Sequence, residues 1–116
     1  MRIGIDFDST ITKYPGYFKE LTKNPEFECF VITARPEKER EYVEGYLKNH
    51  DIAVKRICMI TEDLAHADDR AYIQTVFREK PKYYKEFKID VAYDDDLRIL
   101  NKLKEEIPSL RLMLVL

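Results

Sequence analysis

Ile3-Gly4-Ile5-Asp6-Phe7-Asp8-Ser9-Thr10 is a short apolar run that ends in two carboxylates spaced two apart, followed by two hydroxyls. Side chains alternate along a strand, so Asp6 and Asp8 are expected on one side where the strand runs out. Like charges held that close repel, and one takes up a proton unless a cation sits between them. Mg²⁺ suits such an all-oxygen site, because it is bound by few carboxylates and keeps several waters or phosphate oxygens. The rest of the chain reads as support for this corner.

At 116 residues the sequence is expected to form one domain, residues 1–116, with a single core. Its 45% hydrophobic and 36% charged content fits a globular domain and argues against disorder. No apolar run reaches the length of a membrane span, and the N-terminus lacks a secretory pattern. Cys29 and Cys58 lie in apolar runs without metal-ligand spacing, as buried reduced thiols of a cytoplasmic protein would. A net charge of −2 gives no global attraction for polyanions. Lys80, Lys82, Lys85 and Lys88 cluster as a solvated helix face would, which still leaves a phosphate-rich partner open. His50 and His66 have no partner that suggests a ligand or base.

Apolar runs alternate with helical periodicity from end to end. The strand-like runs are Ile3-Gly4-Ile5, Cys29-Phe30-Val31-Ile32, and residues 54–60, 89–93 and 110–116. Helices are expected over residues 36–50, with Pro36 in the first turn, and over 96–106, with Leu97, Leu100, Leu103 and Ile107 as the apolar stripe. Residues 11–16 contain the Pro15-Gly16 turn signal and read as a flap. Residues 61–80 read as a long polar loop with a short helix near 71–77. Strands alternating with helices imply an α/β three-layer sandwich with a five-stranded parallel sheet. Ligands of such sheets bind beyond the carboxyl ends of the strands, where the 61–80 loop can wall the site.

Three further features fall near strand ends: Thr33-Ala34-Arg35, Asp94-Asp95-Asp96, and Lys80-Pro81, which reads as a helix opening. Together with Asp6-x-Asp8-x-Thr10 they resemble the four-motif pattern of the haloacid dehalogenase (HAD) superfamily of phosphohydrolases, over nearly the whole chain. The resemblance implies a strand order of 5-4-1-2-3 and a Mg²⁺-dependent phosphomonoester hydrolase working through an aspartyl-phosphate. Asp6 would be the nucleophile and Asp8 the general acid and base, with Thr10 in support. Asp6, the backbone carbonyl of Asp8, and Asp94 would hold the metal, with Asp95 acting through water or from outside the ligand set. Thr33, Ala34, Arg35 and Lys80 would contact the phosphoryl group and offset its charge. The dehalogenases of the superfamily lack the second aspartate, whereas Asp8 is present here, so the implied chemistry is phosphoryl transfer.

Each residue also has a plainer reading. Asp6 and Asp8 could be a surface pair, Thr33 a cap for the helix at Pro36, and Arg35 a surface partner of Glu37 or Glu39. Asp94 to Asp96 could cap a helix; Asp96 suits that role while Asp94 and Asp95 face the metal. Lys82 is the alternative to Lys80. No gap is long enough for a cap domain, so the site would be open, as in family members that act on macromolecular ends or use a partner chain, including a second copy, as a lid. Ile32-Thr33-Ala34-Arg35, with Ile57-Cys58-Met59 after the next helix, is similar to the phosphatase domain of polynucleotide kinase-phosphatases and to small HAD nucleotidases. The chain departs from both in having Asp96 and Leu97 before Arg98, where those families place an arginine directly after the paired aspartates. The alternatives are therefore a nucleotide or polynucleotide 3′-phosphatase and, from another class, a non-catalytic binding or regulatory module.

Overall fold

The computed structural model describes residues 1–116. Five strands, β1 (Arg2–Ile5), β2 (Glu28–Pro36), β3 (Arg56–Ile60), β4 (Val91–Asp94) and β5 (Arg111–Leu114), form one sheet in the order β3-β2-β1-β4-β5. Every neighbouring pair is parallel. This is the expected order read from the opposite edge, with β1 in the middle. The helices are α1 (Pro15–Lys23), α2 (Arg40–Asn49), α3 (Asp69–Glu86) and α4 (Leu97–Glu106). None is long and apolar enough to cross a membrane.

Strand alternation divides the core into two layers. Ile3, Ile5, Cys29, Val31 and Val91 pack with Phe18 of α1 and with Val43 and Leu47 of α2. Phe30, Ile32, Cys58, Ile60 and Ala92 pack on the other face with Val76 and Tyr84 of α3 and with Ile99, Leu100 and Leu103 of α4. Gly4 belongs to this second face, and a side chain there is excluded. A Cβ would lie 2.7 Å from the Tyr84 ring, so glycine lets the aromatic ring lie directly against the central strand.

Several boundaries differ from expectation for identifiable reasons. Residues 61–80 are not mainly loop: α3 starts at Asp69, capped by the Asp68 carboxylate accepting the Ala71 N–H at 2.8 Å, and runs unbroken to Glu86. Lys80 and Pro81 therefore lie inside a helix rather than opening one. A mid-helix proline costs about 3 kcal/mol, and α3 offsets it by burying Val76, Lys80, Pro81 and Tyr84. Pro36 does not start a helix; it ends β2, and a 3₁₀ turn over Glu37–Glu39 leads into α2. β2 passes Ile32 because its register against β3 shifts between Thr33 and Pro36, which puts Ala34 and Arg35 in a bulge. Bulges re-aim side chains beside functional sites. In α4 the buried stripe is Ile99, Leu100 and Leu103, while Leu97 is more than half exposed because it sits in the first turn, beyond the sheet.

Candidate active site

The site is built at the carboxyl ends of β1 and β4. Ala92 faces α3, and so does Asp94 two residues on; Gly4 likewise leads to Asp6. Both carboxylates are buried, and Lys80 reaches them from α3. Its Nζ donates to Asp6 Oδ1 at 3.0 Å and to Asp94 Oδ2 at 2.8 Å. Lys82 points outward and pairs with Glu79. Lys80 sits on the same i, i+4 ridge as Tyr72, Val76 and Tyr84, which places all four against the sheet.

Desolvation opposes charge on both Lys80 and Asp6, and the outcomes differ. Burial disfavours the Lys80 ammonium, but the attraction of Asp6 and Asp94 outweighs it and holds the lysine well above its usual pKa. Burial also dominates at Asp6: Lys80 pulls its pKa down, the Asp94 charge pushes it up, and the carboxyl ends well above the ordinary range. Of these two the lysine is firmly ionised, and the charge of Asp6 lacks full compensation.

Asp95 is exposed and completes the cluster, since Asp6, Asp94 and Asp95 each bring one carboxylate oxygen within 4.8 Å of the others. Adjacent ligands of an octahedral Mg²⁺ lie about 2.9 Å apart, so the three oxygens would draw together around a small hard cation. The donor set, all oxygen with one exposed member, fits such an ion. The buried Thr10 hydroxyl lies 3.5 Å from Asp6 Oδ2 and 3.4 Å from Asp95 Oδ1, joining the two carboxylates. Asp96 caps α4 through the Arg98 N–H, and its own N–H donates to Asp94 Oδ1 at 3.0 Å. The capping reading therefore applies to Asp96 alone.

Asp8 is placed by a turn: β1 ends at Ile5, so strand alternation does not set its direction, yet it lines the same cavity as Asp6. A wide turn over Phe7–Ile11 holds Asp8 extended and Ser9 left-handed, at φ 61°. A serine in that region is strained, and such strain clusters at functional sites. The Asp8 carboxylate meets Arg35 in a two-point pair, accepting from Nε and Nη2 at 2.9 Å each. Arg35 Nη1 donates to Glu39 at 2.6 Å, and the guanidinium lies over the Tyr42 ring, 4.5 Å from its centre. Glu39, not Glu37, is thus the surface partner; Glu37 pairs with Arg40. The Thr33 hydroxyl is buried and accepts the Arg35 N–H at 3.1 Å. It steadies the bulge and caps no helix.

A cavity of about 230 Å³ opens over Asp6, Lys80 and Asp94 and is also lined by Asp8, Ala34 and Tyr72. Thr33 and Arg35 do not line it. Arg35 and Ala34 border an adjoining groove of about 350 Å³. Tyr72 and Glu39 were not legible as site residues. The ridge Tyr72-Val76-Lys80-Tyr84 was the available signal, and Pro81 hid it by breaking the apparent helix.

No family model matches the sequence. No curated protein matches it either. Two solved structures share its fold. One is described as the structure of a Pnkp1/Rnl/Hen1 complex, with 12% identity and a TM-score of 0.69 over 98% of this chain and 45% of that one. The other, described as the structure of the Pnkp1/Rnl/Hen1 RNA repair complex, gives 14% identity and a TM-score of 0.68 over 98% of this chain and 42% of that one. The chain spans less than half the length of these relatives, and at such identities the likeness is one of fold.

Proposed function

We propose that the protein is a Mg²⁺-dependent phosphomonoester hydrolase of HAD type. The observation that carries this reading is the buried Lys80 ammonium held between Asp6 and Asp94 at the floor of an open cavity. A charge-paired cluster of this kind is costly to bury and contributes little to stability for its cost, which favours a chemical role.

In this reading an Asp6 carboxylate oxygen attacks phosphorus, the bond to the leaving oxygen breaks, and Asp8 gives that oxygen its proton. Asp8 then takes a proton from water as the water oxygen attacks the phosphorus of phospho-Asp6, which releases inorganic phosphate and restores Asp6. Lys80 holds Asp6 in place and offsets the charge that gathers on the phosphoryl oxygens. Asp6, Asp94 and the Asp8 carbonyl would hold Mg²⁺, with Asp95 through water; when bound, the ion screens the carboxylates from the incoming phosphate and supports the developing charge. Thr33 accepts the Arg35 N–H and steadies the bulge that sets Ala34 on the cavity wall. Asp8 reaches the leaving oxygen by turning from Arg35, which keeps its pair with Glu39. The RNA-repair relatives support a nucleotide-like substrate.

The test is hydrolysis of p-nitrophenyl phosphate with Mg²⁺ and with EDTA, for the parent and for Asp6→Asn. Metal-dependent turnover that Asp6→Asn abolishes is expected. No turnover by the parent from pH 5 to 8 would favour a binding module, and activity retained in Asp6→Asn would displace the nucleophile.

A further inference from the structure

The cavity over Asp6 does not end at Asp8. A second groove adjoins it, and Asp8, Ala34 and Tyr72 line both spaces. If Asp8 protonates the leaving oxygen, the leaving group lies beyond Asp8 as seen from Asp6, which is inside this groove. Its volume, about 350 Å³, is that of a small-molecule site. The chemistry of its walls then describes the leaving group.

The groove's apolar lining is Ala34, Pro36, Leu64, Ala65 and the half-buried Tyr72, which α3 holds two turns from Lys80. The rim carries carboxylates, Glu39 and Asp63, and the cations beside them are already engaged. Arg35 is bound to Asp8 and Glu39, and Lys38 to Asp63. Further along the same segment Glu62 is paired with Arg78 and Asp69 with Arg98. The rim thus offers a chain of phosphates no unpaired cation, since Arg35 and Lys38 each already hold a carboxylate. A neutral ring system bearing amino and hydroxyl groups would meet an aromatic face and acceptor oxygens. The basic side chains that could track a polymer, Arg78, Lys82, Lys85 and Lys102, line a different groove between α3 and α4.

Resting on the phosphatase reading above, we propose that the substrate is a nucleoside monophosphate whose base stacks on Tyr72, and not the end of a nucleic-acid chain. The phosphoryl group is bound over Asp6, and the nucleoside is the alcohol released into the groove.

The test compares hydrolysis of adenosine monophosphate, glycerol phosphate and a short 3′-phosphorylated RNA, and measures adenosine binding by calorimetry, in the parent and in Tyr72→Ala and Tyr72→Phe. The parent is expected to prefer adenosine monophosphate over glycerol phosphate by at least about tenfold in kcat/KM. Tyr72→Ala should reduce that preference roughly ten- to a hundredfold, the scale of one base stacked on an aromatic ring. The loss should fall on KM and be accompanied by lost adenosine binding, while Tyr72→Phe should retain both. Preference for the RNA, equal use of glycerol phosphate, or adenosine binding undiminished in Tyr72→Ala would overturn the assignment. Tyr72-dependent adenosine binding with no hydrolysis of any ester would support the groove and remove the phosphatase reading alone.

Discussion

Replacing Lys80 with methionine tests the charge balance of the cluster directly. Methionine fills a similar volume, so the change isolates the ammonium of Lys80, a residue 2% exposed, which contacts Asp6 at 3.0 Å and Asp94 at 2.8 Å. Removing one partner of a buried ion pair costs about 3–5 kcal/mol because the other charge is left uncompensated. For a chain of this size about 4 °C of melting temperature corresponds to each kcal/mol. Thermal unfolding of Lys80→Met at pH 7 in EDTA should therefore fall about 12–20 °C below the parent. The pH dependence follows from the two native pKa values. Asp6 is raised in the fold above its ordinary 3.8, so its ionised form costs stability at neutral pH and the cost fades as pH falls through the raised value. Loss of Lys80 raises Asp6 further. The deficit should be largest at neutral and alkaline pH and shrink on acidification. In the parent, Lys80 is raised above 10.5, so its contribution is complete below that pH and is lost only as pH climbs through the native value. A melting temperature within about 3 °C of the parent, flat between pH 5 and 8, would refute this electrostatic account.

Asp94→Ala should abolish any Mg²⁺-induced rise in melting temperature, whereas Asp95→Ala, at an exposed position, should weaken metal binding only about ten- to a hundredfold; calorimetric titration with Mg²⁺ distinguishes the two. Gly4→Ala should destabilise by about 1–3 kcal/mol in urea unfolding, since its methyl meets the Tyr84 ring at 2.7 Å. Tyr84→Phe removes a buried hydroxyl that has no hydrogen-bond partner, so it should be neutral or stabilising by about 1 kcal/mol; a clear loss of stability would show that the hydroxyl is satisfied in solution.

The sheet was legible because β-branched and other apolar residues sit in short runs that nothing else in the sequence imitates. Asp6, Asp94 and Asp95 were legible for a related reason: carboxylates gathered at the ends of apolar strands repel one another and call for a cation between them. What could not be read depends on tertiary contacts. Pro81 reads locally as a helix start, and only the burial of Tyr84 over Gly4 shows why α3 runs through it. The Asp8–Arg35 pair joins residues that strand alternation sends in unrelated directions, and it exists because the chain leaves the sheet at Ile5 and bulges after Thr33. The sequence left Glu37 and Glu39 both open as partners of Arg35, and the choice fell to Glu39 because Pro36 ends a strand, which sets the phase of the following turn.

The cap that Asp68 places on α3 has a consequence for how this scaffold can change. The helix that carries Tyr72 and Lys80 is anchored at its own first residue, so their positions do not depend on the length of the segment between Ile60 and Asp68. That segment is tied down by Leu64 and by the exposed pairs Lys38–Asp63 and Arg78–Glu62. Doubling the length of a flexible loop adds only about 0.6 kcal/mol of closure entropy. The wall of the groove can therefore be lengthened, shortened or grafted independently of the reacting groups, which makes this stretch the natural place to retarget the protein by directed evolution.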